Sequence, residues 1–260
     1  MVKKESNISA VNFYADRKRK SALEDLEIKK LEFADRSPLS AAYDTLKLLK
    51  KTKFDTVLEI GAERGTNLII LKDYLDYNRG ISVDVFDPID KWDALSYLNC
   101  SIYELSDYLP EQSVDLVLMS EIIEHLCETD TAIVEVYKIL KKGGLLVITT
   151  PNLVSLINRF MILYGSVPLW YEVSYKKVFG RILTRDSNPV GHVRLFTPRA
   201  LDEFLTYYGF KKLTLYTMPT SFNKTNDRFN PLRTINRLEK FILHFNNNLG
   251  TEIVGIFEKS

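Results

Sequence analysis

The sequence predicts an α/β protein with a doubly wound parallel sheet covered by helices on both faces. Short apolar runs alternate with segments of helical period along most of the chain. Those runs are close to continuously apolar, as strands buried on both faces must be. The first of them ends in a glycine-bearing turn inside Thr56–Leu71, TVLEIGAERGTNLIIL, and an apolar run restarts at helical spacing beyond it.

The chain has 260 residues, enough for one large domain or a domain with a cap, and its 45% apolar content is that of a globular protein with a full core. A net charge of +1 gives no global field toward nucleic acid or an anionic membrane, so a nucleic-acid partner is not expected. Cys100 and Cys127 are isolated and lack metal spacing, so neither a disulfide scaffold nor a zinc ribbon is expected. No stretch resembles a signal peptide, and none reaches the ~18 apolar residues of a membrane span. The expectation is a cytoplasmic protein.

Residues 1–53 read as an N-terminal helical cap. The basic run Arg17–Lys20 opens mixed-sign, helix-like sequence and reads as a solvated face. Pro38 begins a second helix, with Ala41, Ala42, Leu46, Leu48 and Leu49 facing inward as far as Lys53, over the site's mouth or against the first strand. A buried strand follows over Thr56–Ile60, a tight loop over Gly61–Gly65, and a helix from Thr66. Such a turn brings backbone close to a ligand. Glu59 suits ligand ammonium or hydroxyl groups better than phosphate, and no G-K-[ST] follows, which argues against a nucleotide P-loop.

Gly80–Asp87 reads as the second strand. Asp84 lies 19 residues beyond Gly65, near the interval of about 20 at which an acid grips ribose hydroxyls in dinucleotide-type folds. Asp87 competes for that role but also fits a capping Asp-Pro turn. Tyr97–Ile102 is a short third strand, Ser113–Ser120 a buried fourth, Thr131–Leu140 a helix stopped by Lys141–Gly144, and Leu145–Thr150 a further strand ending at Pro151-Asn152. Thr197 caps a helix with Pro198 at its first position. Gly209 ends it before the strand Lys211–Met218. A polar loop over residues 219–230 and a helix Pro231–Phe245, carrying a structural His244, precede the last strand.

The blocks VLEIGAERG, SVDLVLMSEIIEHL, YKILKKGGLLVITTPN, GHVRLFTPRALDEFLTYYGF and GTEIVGIFEK, in that order, resemble class I S-adenosylmethionine-dependent methyltransferases, of the ubiquinone-type and glycan O-methyltransferase group. The resemblance covers residues 54–260 as one methyltransferase domain. It implies a Rossmann-like, seven-stranded sheet whose last strand is antiparallel and inserted beside the sixth, and S-adenosylmethionine as cofactor. Carried over by position, it places Glu59, Gly61 and Gly65 under the methionine part, Asp84 at the ribose hydroxyls, Ser101 at the adenine, and Ser120 and Glu121 at the methionine end or the acceptor. Two departures stand out. Glu63 occupies the motif's usual middle glycine, and Ser101 replaces a common Asp, removing a charge-assisted hydrogen bond of roughly 1.5–3 kcal/mol.

Glu121, Glu124 and His125 share one side if they lie on a helical turn, and His192 follows from a distant segment. Two carboxylates and two imidazoles can hold Mg2+ or another divalent ion with positions open to substrate hydroxyls. The E-x-x-E-H pattern with a distant His is similar to that of metal-assisted O-methyltransferases. Two other readings remain open: His125 or His192 as a metal-free base, and a structural turn in which Glu124 caps and His125 packs.

Residues 152–192 leave the common fold and form a substrate or lid insertion. An apolar helix, Leu153–Leu163, precedes an aromatic loop, Gly165–Tyr171, and then Lys176, Lys177, Arg181 and Arg185. Aromatics could stack on a sugar or quinone, and the basic residues could meet a phosphate or a membrane surface. The segment also reads as a helical hairpin that pairs two copies in a homodimer or closes the core. The expected activity is methylation of a hydroxyl on a small molecule or on a sugar of a surface glycan or glycolipid, in polysaccharide biosynthesis. A quinone precursor, an RNA 2′-hydroxyl, or a non-catalytic cofactor-binding scaffold are the competing readings.

Overall fold

The computed structural model describes residues 37–88, 91–182, 188–219 and 248–260. The Arg17–Lys20 run, Arg185, the 219–230 loop beyond Pro219, His244 and the helix expected at 231–245 lie outside the described residues.

Seven strands form one sheet in the order β3-β2-β1-β4-β5-β7-β6. They are β1 (Lys53–Ile60), β2 (Asp76–Asp84), β3 (Leu95–Asn99), β4 (Val114–Ser120), β5 (Leu140–Pro151), β6 (Phe210–Met218) and β7 (Glu252–Lys259). Strands β1 to β5 pair in parallel, whereas β7 runs antiparallel between β5 and β6. That is the seven-stranded doubly wound sheet the sequence implied. Parallel pairing sends the carboxyl ends of β1, β2, β4 and β5 to one edge, where ligands bind in open α/β sheets.

The helices among the described residues are α1 (Pro38–Leu48), α2 (Thr66–Leu71), α3 (Leu105–Tyr108), α4 (Thr129–Ile139), α5 (Leu156–Leu163) and α6 (Pro198–Tyr207). Strand alternation divides the core into two layers. Leu58, Ile60, Val117, Met119, Leu146 and Ile148 face α4 and α6. Val57, Leu116, Leu118, Leu145 and Val147 face α1 and α2. Tyr43 and Leu46 of α1 are fully buried in the second layer, and α1 packs against β7 and β5 rather than over the mouth of the site.

Several boundaries differ from expectation for identifiable reasons. Strand β2 starts at Asp76, because Asp76 and Tyr77 already pair with Lys53 and Phe54 of β1. Strand β3 stops at Asn99, where Ser101 caps a 3-10 turn over Ile102–Glu104. Strand β5 takes in Lys141–Gly144, with Gly143 at φ +73° absorbing the irregularity. Helix α5 begins only at Leu156, with Ser155 as its cap. The side chain of Asn152 first turns the chain by accepting the Val154 N–H at 3.1 Å.

Away from the carboxyl edge, Asp115 ties three strands together. Its carboxylate accepts the Thr56 N–H at 2.8 Å and pairs with Lys141 at 2.9 Å, linking β1, β4 and β5.

Candidate active site

The glycine turn follows β1. Gly61 and Gly65 have φ of +67° and +74°, the left-handed region that suits glycine. A Cβ on Gly61 would lie 2.2 Å from Ile122 Cδ1, and one on Gly65 would lie 2.5 Å from Leu95 Cδ1. Both positions therefore favour glycine for the backbone, and a side chain at either would also make the Ile122 or Leu95 tip shift. Glu59 is buried beneath the turn and accepts the Asn67 side-chain N–H at 2.5 Å. Glu63, where the family motif usually has glycine, also stands at a positive φ, +48°.

At the end of β2, Asp84 accepts the Glu63 N–H at 2.9 Å and the Phe86 N–H at 3.0 Å, one on each carboxylate oxygen. Burial raises its pKa, the two N–H groups oppose the rise, and the nearby Glu63 charge adds to it. Asp84, Asp87 and Glu63 border one hollow with Pro88, Leu98 and Asn99. Asp87 is exposed there and paired with Lys91 at 2.7 Å. Ser101 accepts the Tyr103 N–H at 3.3 Å, so its position where relatives hold an Asp coincides with a helix cap.

Beyond β4 the expected helical turn is tighter than predicted. Only Ile123–His125 forms a 3-10 turn, and Glu121 precedes it at φ +54°. Glu121 therefore does not share a helical face with Glu124 and His125. Its carboxylate accepts the Thr149 hydroxyl at 2.7 Å, and Thr149 in turn lies 2.9 Å from the Ser120 hydroxyl. Burial lifts the Glu121 pKa to about 7. Glu124 is fully buried and accepts the Thr150 hydroxyl at 2.9 Å. Its pKa is raised well above normal, by burial first and then by the Glu121 charge.

Glu124, His125 and His192 converge. Each can place one ligating atom within 4.8 Å of the others. Both imidazole Nε2 atoms lie 3.9 Å from Glu124 Oε1, which has no hydrogen-bond partner. The rings stand 4.7 Å apart. His125 Nδ1 lies 3.2 Å from the Gly191 carbonyl and His192 Nδ1 lies 2.9 Å from the Trp170 carbonyl. A carbonyl only accepts, so each Nδ1 carries the proton and each Nε2 turns a lone pair inward. Burial, and next the neighbouring His192, push the His125 pKa down to about 4; burial also lowers that of His192. Two imidazole lone pairs and the Glu124 carboxyl thus face one point, and among the described residues the proton that the buried Glu124 retains is the donor available there when no cation is bound.

Residues that the sequence did not single out complete the site. Thr149 and Thr150 hold the two glutamates, and their only signal was polarity at the end of a buried strand. Trp170 and Glu172 hold the His192 segment from the insertion. Glu172 could have been noticed as the one acidic residue between Asn152 and Ile182.

A sheet of this order, with a glycine turn after β1 and an acid ending β2, defines a class I S-adenosylmethionine-dependent methyltransferase. The chain belongs to the methyltransferase-domain family, whose model matches residues 15–215. Solved structures share the fold. A SAM-dependent methyltransferase from Archaeoglobus fulgidus is 19% identical with a TM-score of 0.54, covering 86% of this chain and 95% of that one. The 1,6-didemethyltoxoflavin-N1-methyltransferase of Burkholderia thailandensis, solved with its substrate and S-adenosylhomocysteine, is 15% identical with a TM-score of 0.53, covering 96% and 90%. The [4+2]-cyclase SpnF, at 16% identity and a TM-score of 0.50, covers 85% and 82%. No curated protein matches the sequence. The fold thus hosts differing chemistries, and the acceptor must be argued from the site.

Proposed function

We propose that the protein transfers the methyl group of S-adenosylmethionine to a hydroxyl of a sugar on a surface glycan or glycolipid, assisted by a divalent ion. The observation that carries this reading is the convergence of Glu124 Oε1 and the two Nε2 atoms on one point, three groups that can each give a cation a lone pair once Glu124 yields its proton. Such a set fits a cation, and both imidazoles already have the carbonyl partner on Nδ1 that orients metal-ligating histidines. Two imidazoles and one carboxylate suit a first-row ion such as Mn2+, Fe2+ or Zn2+ better than Mg2+. When bound, the ion would lower the pKa of an acceptor hydroxyl and fix it in place.

In this reading Glu121, with its pKa near 7, receives the hydroxyl proton at neutral pH. It lies outside the Glu124–His125–His192 set, with its side chain on the Thr149 hydroxyl and beside the Glu124 carboxyl. Glu59, Gly61 and Gly65 hold the methionine part, Asp84 the ribose, Ser101 the adenine edge and Ser120 the methionine end. The Asp84 oxygens take the Glu63 and Phe86 N–H groups, and the carboxylate has further lone-pair capacity for a ribose hydroxyl. The acceptor argument rests on the insertion, where Tyr171, Tyr175 and Phe179 are exposed beside Lys176 and Lys177. That mixture suits a sugar carried on an anionic lipid.

Calorimetric titration of S-adenosylhomocysteine and of MnCl2 tests the reading. Wild type should bind both in the micromolar range, and His192→Ala should bind S-adenosylhomocysteine alone. Failure to bind S-adenosylhomocysteine would sink the enzyme reading. Absence of metal heat in wild type would leave a metal-free histidine mechanism. Transfer of a radiolabelled methyl to lipid-linked sugars, and not to free quinone precursors or RNA, is the result expected for the acceptor.

A further inference from the structure

We propose that Glu172 is a positioning residue: its carboxylate sets the tautomer and aim of both imidazoles by clasping the backbone of Val190–His192. The inference rests on the His125–His192 site as read above, and reaches it from the insertion.

Glu172 is the one acid between Asn152 and Ile182, and it turns inward instead of serving the surface. One of its oxygens accepts the Val190 N–H at 2.8 Å; the other accepts the N–H of Gly191 at 2.8 Å and of His192 at 3.2 Å. Three consecutive backbone donors on one carboxylate are charge-assisted bonds, among the stronger in proteins. On the far side of the same segment, the N–H groups of Val193 and Arg194 reach the Glu124 carbonyl at 2.8 and 3.3 Å. The segment is therefore gripped from two sides, by the Glu172 side chain and by the Glu124 backbone.

This grip reaches both rings. The Gly191 peptide, fixed at φ +96° with its N–H on Glu172, turns its carbonyl to His125 Nδ1 at 3.2 Å. His192, held by its own N–H, receives the Trp170 carbonyl on Nδ1 at 2.9 Å. Trp170 lies two residues before Glu172 and stands at φ +67°, a conformation that a non-glycine residue keeps only when its surroundings enforce it. The turn Trp170–Glu172 thus supplies one carbonyl directly and the other through Gly191. Without the carboxylate, no other group among the described residues of the insertion holds the Gly191 N–H, and the carbonyl facing His125 is free to rotate away. The ring would then carry its proton on either nitrogen, and Nε2 would no longer present a lone pair to Glu124.

The test uses the full chain, Glu172→Gln and Glu172→Asp, at one pH near 8, where both buried imidazoles are neutral. Gln keeps the size but replaces one oxygen with an NH2 group that faces N–H donors; Asp restores the charge on a shorter arm. The chain has three histidines, so long-range 15N spectra of the rings are assignable with single His→Gln variants. Wild type should show the Nδ1–H tautomer at His125 and His192. Glu172→Gln should show mixed tautomers at both and bind Mn2+ about 10–100-fold more weakly, the usual size of a lost outer-shell partner. Its affinity for S-adenosylhomocysteine should stay within about twofold, and Glu172→Asp should recover part of the Mn2+ affinity. Nε2–H tautomers in wild type, or unchanged tautomers in a folded Glu172→Gln, would overturn the proposal. Should Glu172→Gln fail to fold, Glu172→Asp carries the comparison, and wild-type tautomers with full Mn2+ affinity in it would overturn the proposal. Wild type that binds no Mn2+ but loses its Nδ1–H tautomers on Glu172→Gln would overturn the metal reading and leave the clasp standing.

Discussion

Glu121 shows how much of the site's chemistry is set by one residue's surroundings. Its backbone sits at φ +54°, held there by its N–H on the Thr149 carbonyl at 3.0 Å, and its carboxylate takes the Thr149 hydroxyl. Burial raises its pKa to about 7, against roughly 4.3 for an exposed glutamate. The folded protein therefore binds this proton more tightly than the unfolded chain does. Its contribution to stability is complete below about pH 4 and is lost as pH rises toward 7. His125 works in the opposite sense: with its pKa pressed down to about 4 by burial, it costs stability as pH falls from about 6.5 toward 4. We expect Glu121→Gln, which keeps an oxygen for Thr149, to lose less Tm between pH 5 and pH 8 than wild type does. Each kcal/mol of difference should appear as about 2–4 °C in a chain of this size. Parallel Tm–pH curves for the two metal-free proteins would contradict a proton held at Glu121.

At the scale of elements, the turn after β1 and the turn after β4 are packed as one unit. The space a Gly61 side chain would need is occupied by Ile122, with Cδ1 at 2.2 Å and Cγ1 at 3.1 Å from the ideal Cβ position. Gly61→Ala should cost about 1–3 kcal/mol from the positive φ alone, and more from the collision. Weaker S-adenosylhomocysteine binding should accompany that loss. Adding Ile122→Ala should recover the collision part only. Urea melts of the two single variants and the double variant measure this, and strict additivity would show that the two turns are independent. The turn after β1 was legible in the sequence because an apolar run that ends in spaced glycines has few other uses. The turn after β4 was legible in its residues but not in its shape. An E-x-x-E-H spacing is shared by α and 3-10 geometry, and only the Thr149 contact decides that Glu121 stands outside the turn. Glu172 left almost no trace, because its partners lie 18–20 residues away and are backbone N–H groups, which every sequence carries.

Across the whole molecule, apolar surface is unevenly distributed, and that asymmetry bears on where the acceptor comes from. The order of strands and helices could be read from apolar runs because both layers of the sheet are dry. The insertion could not, since its own cluster is only Ile157, Met161 and Leu169 with Trp170 against them. Among the described residues, nine of the sixteen large apolar side chains left exposed fall between Phe160 and Ile182, so the exposure is local to the insertion. Leu163 and Tyr164 are about three-quarters exposed at the end of α5, at 77% and 76%. The Val167 N–H bonds the Gly180 carbonyl at 2.9 Å, which brings the Phe179–Ile182 strand of chain beside that end. Arg159, Lys176 and Lys177 are also exposed in this segment, while the one acid among its described residues from 152 to 182, Glu172, is spent on the backbone of residues 190–192. No helix among the described residues is long and apolar enough to cross a membrane. Apolar side chains interleaved with cations on such a surface suit the interface of an anionic bilayer. The protein should therefore sediment with phosphatidylglycerol-rich vesicles at low salt and progressively less as salt screens the lysines. Lys176→Glu with Lys177→Glu should weaken binding about 30-fold or more, since each lysine near such a surface contributes about 1 kcal/mol. Leu163→Ser with Phe179→Ser should weaken it at every salt concentration. Neither pair is among the residues assigned to the cofactor, from Glu59 to Ser120, so S-adenosylhomocysteine affinity should be unchanged in both. Sedimentation no greater than with neutral vesicles would remove the membrane from the acceptor's description and leave a soluble sugar as the substrate to seek.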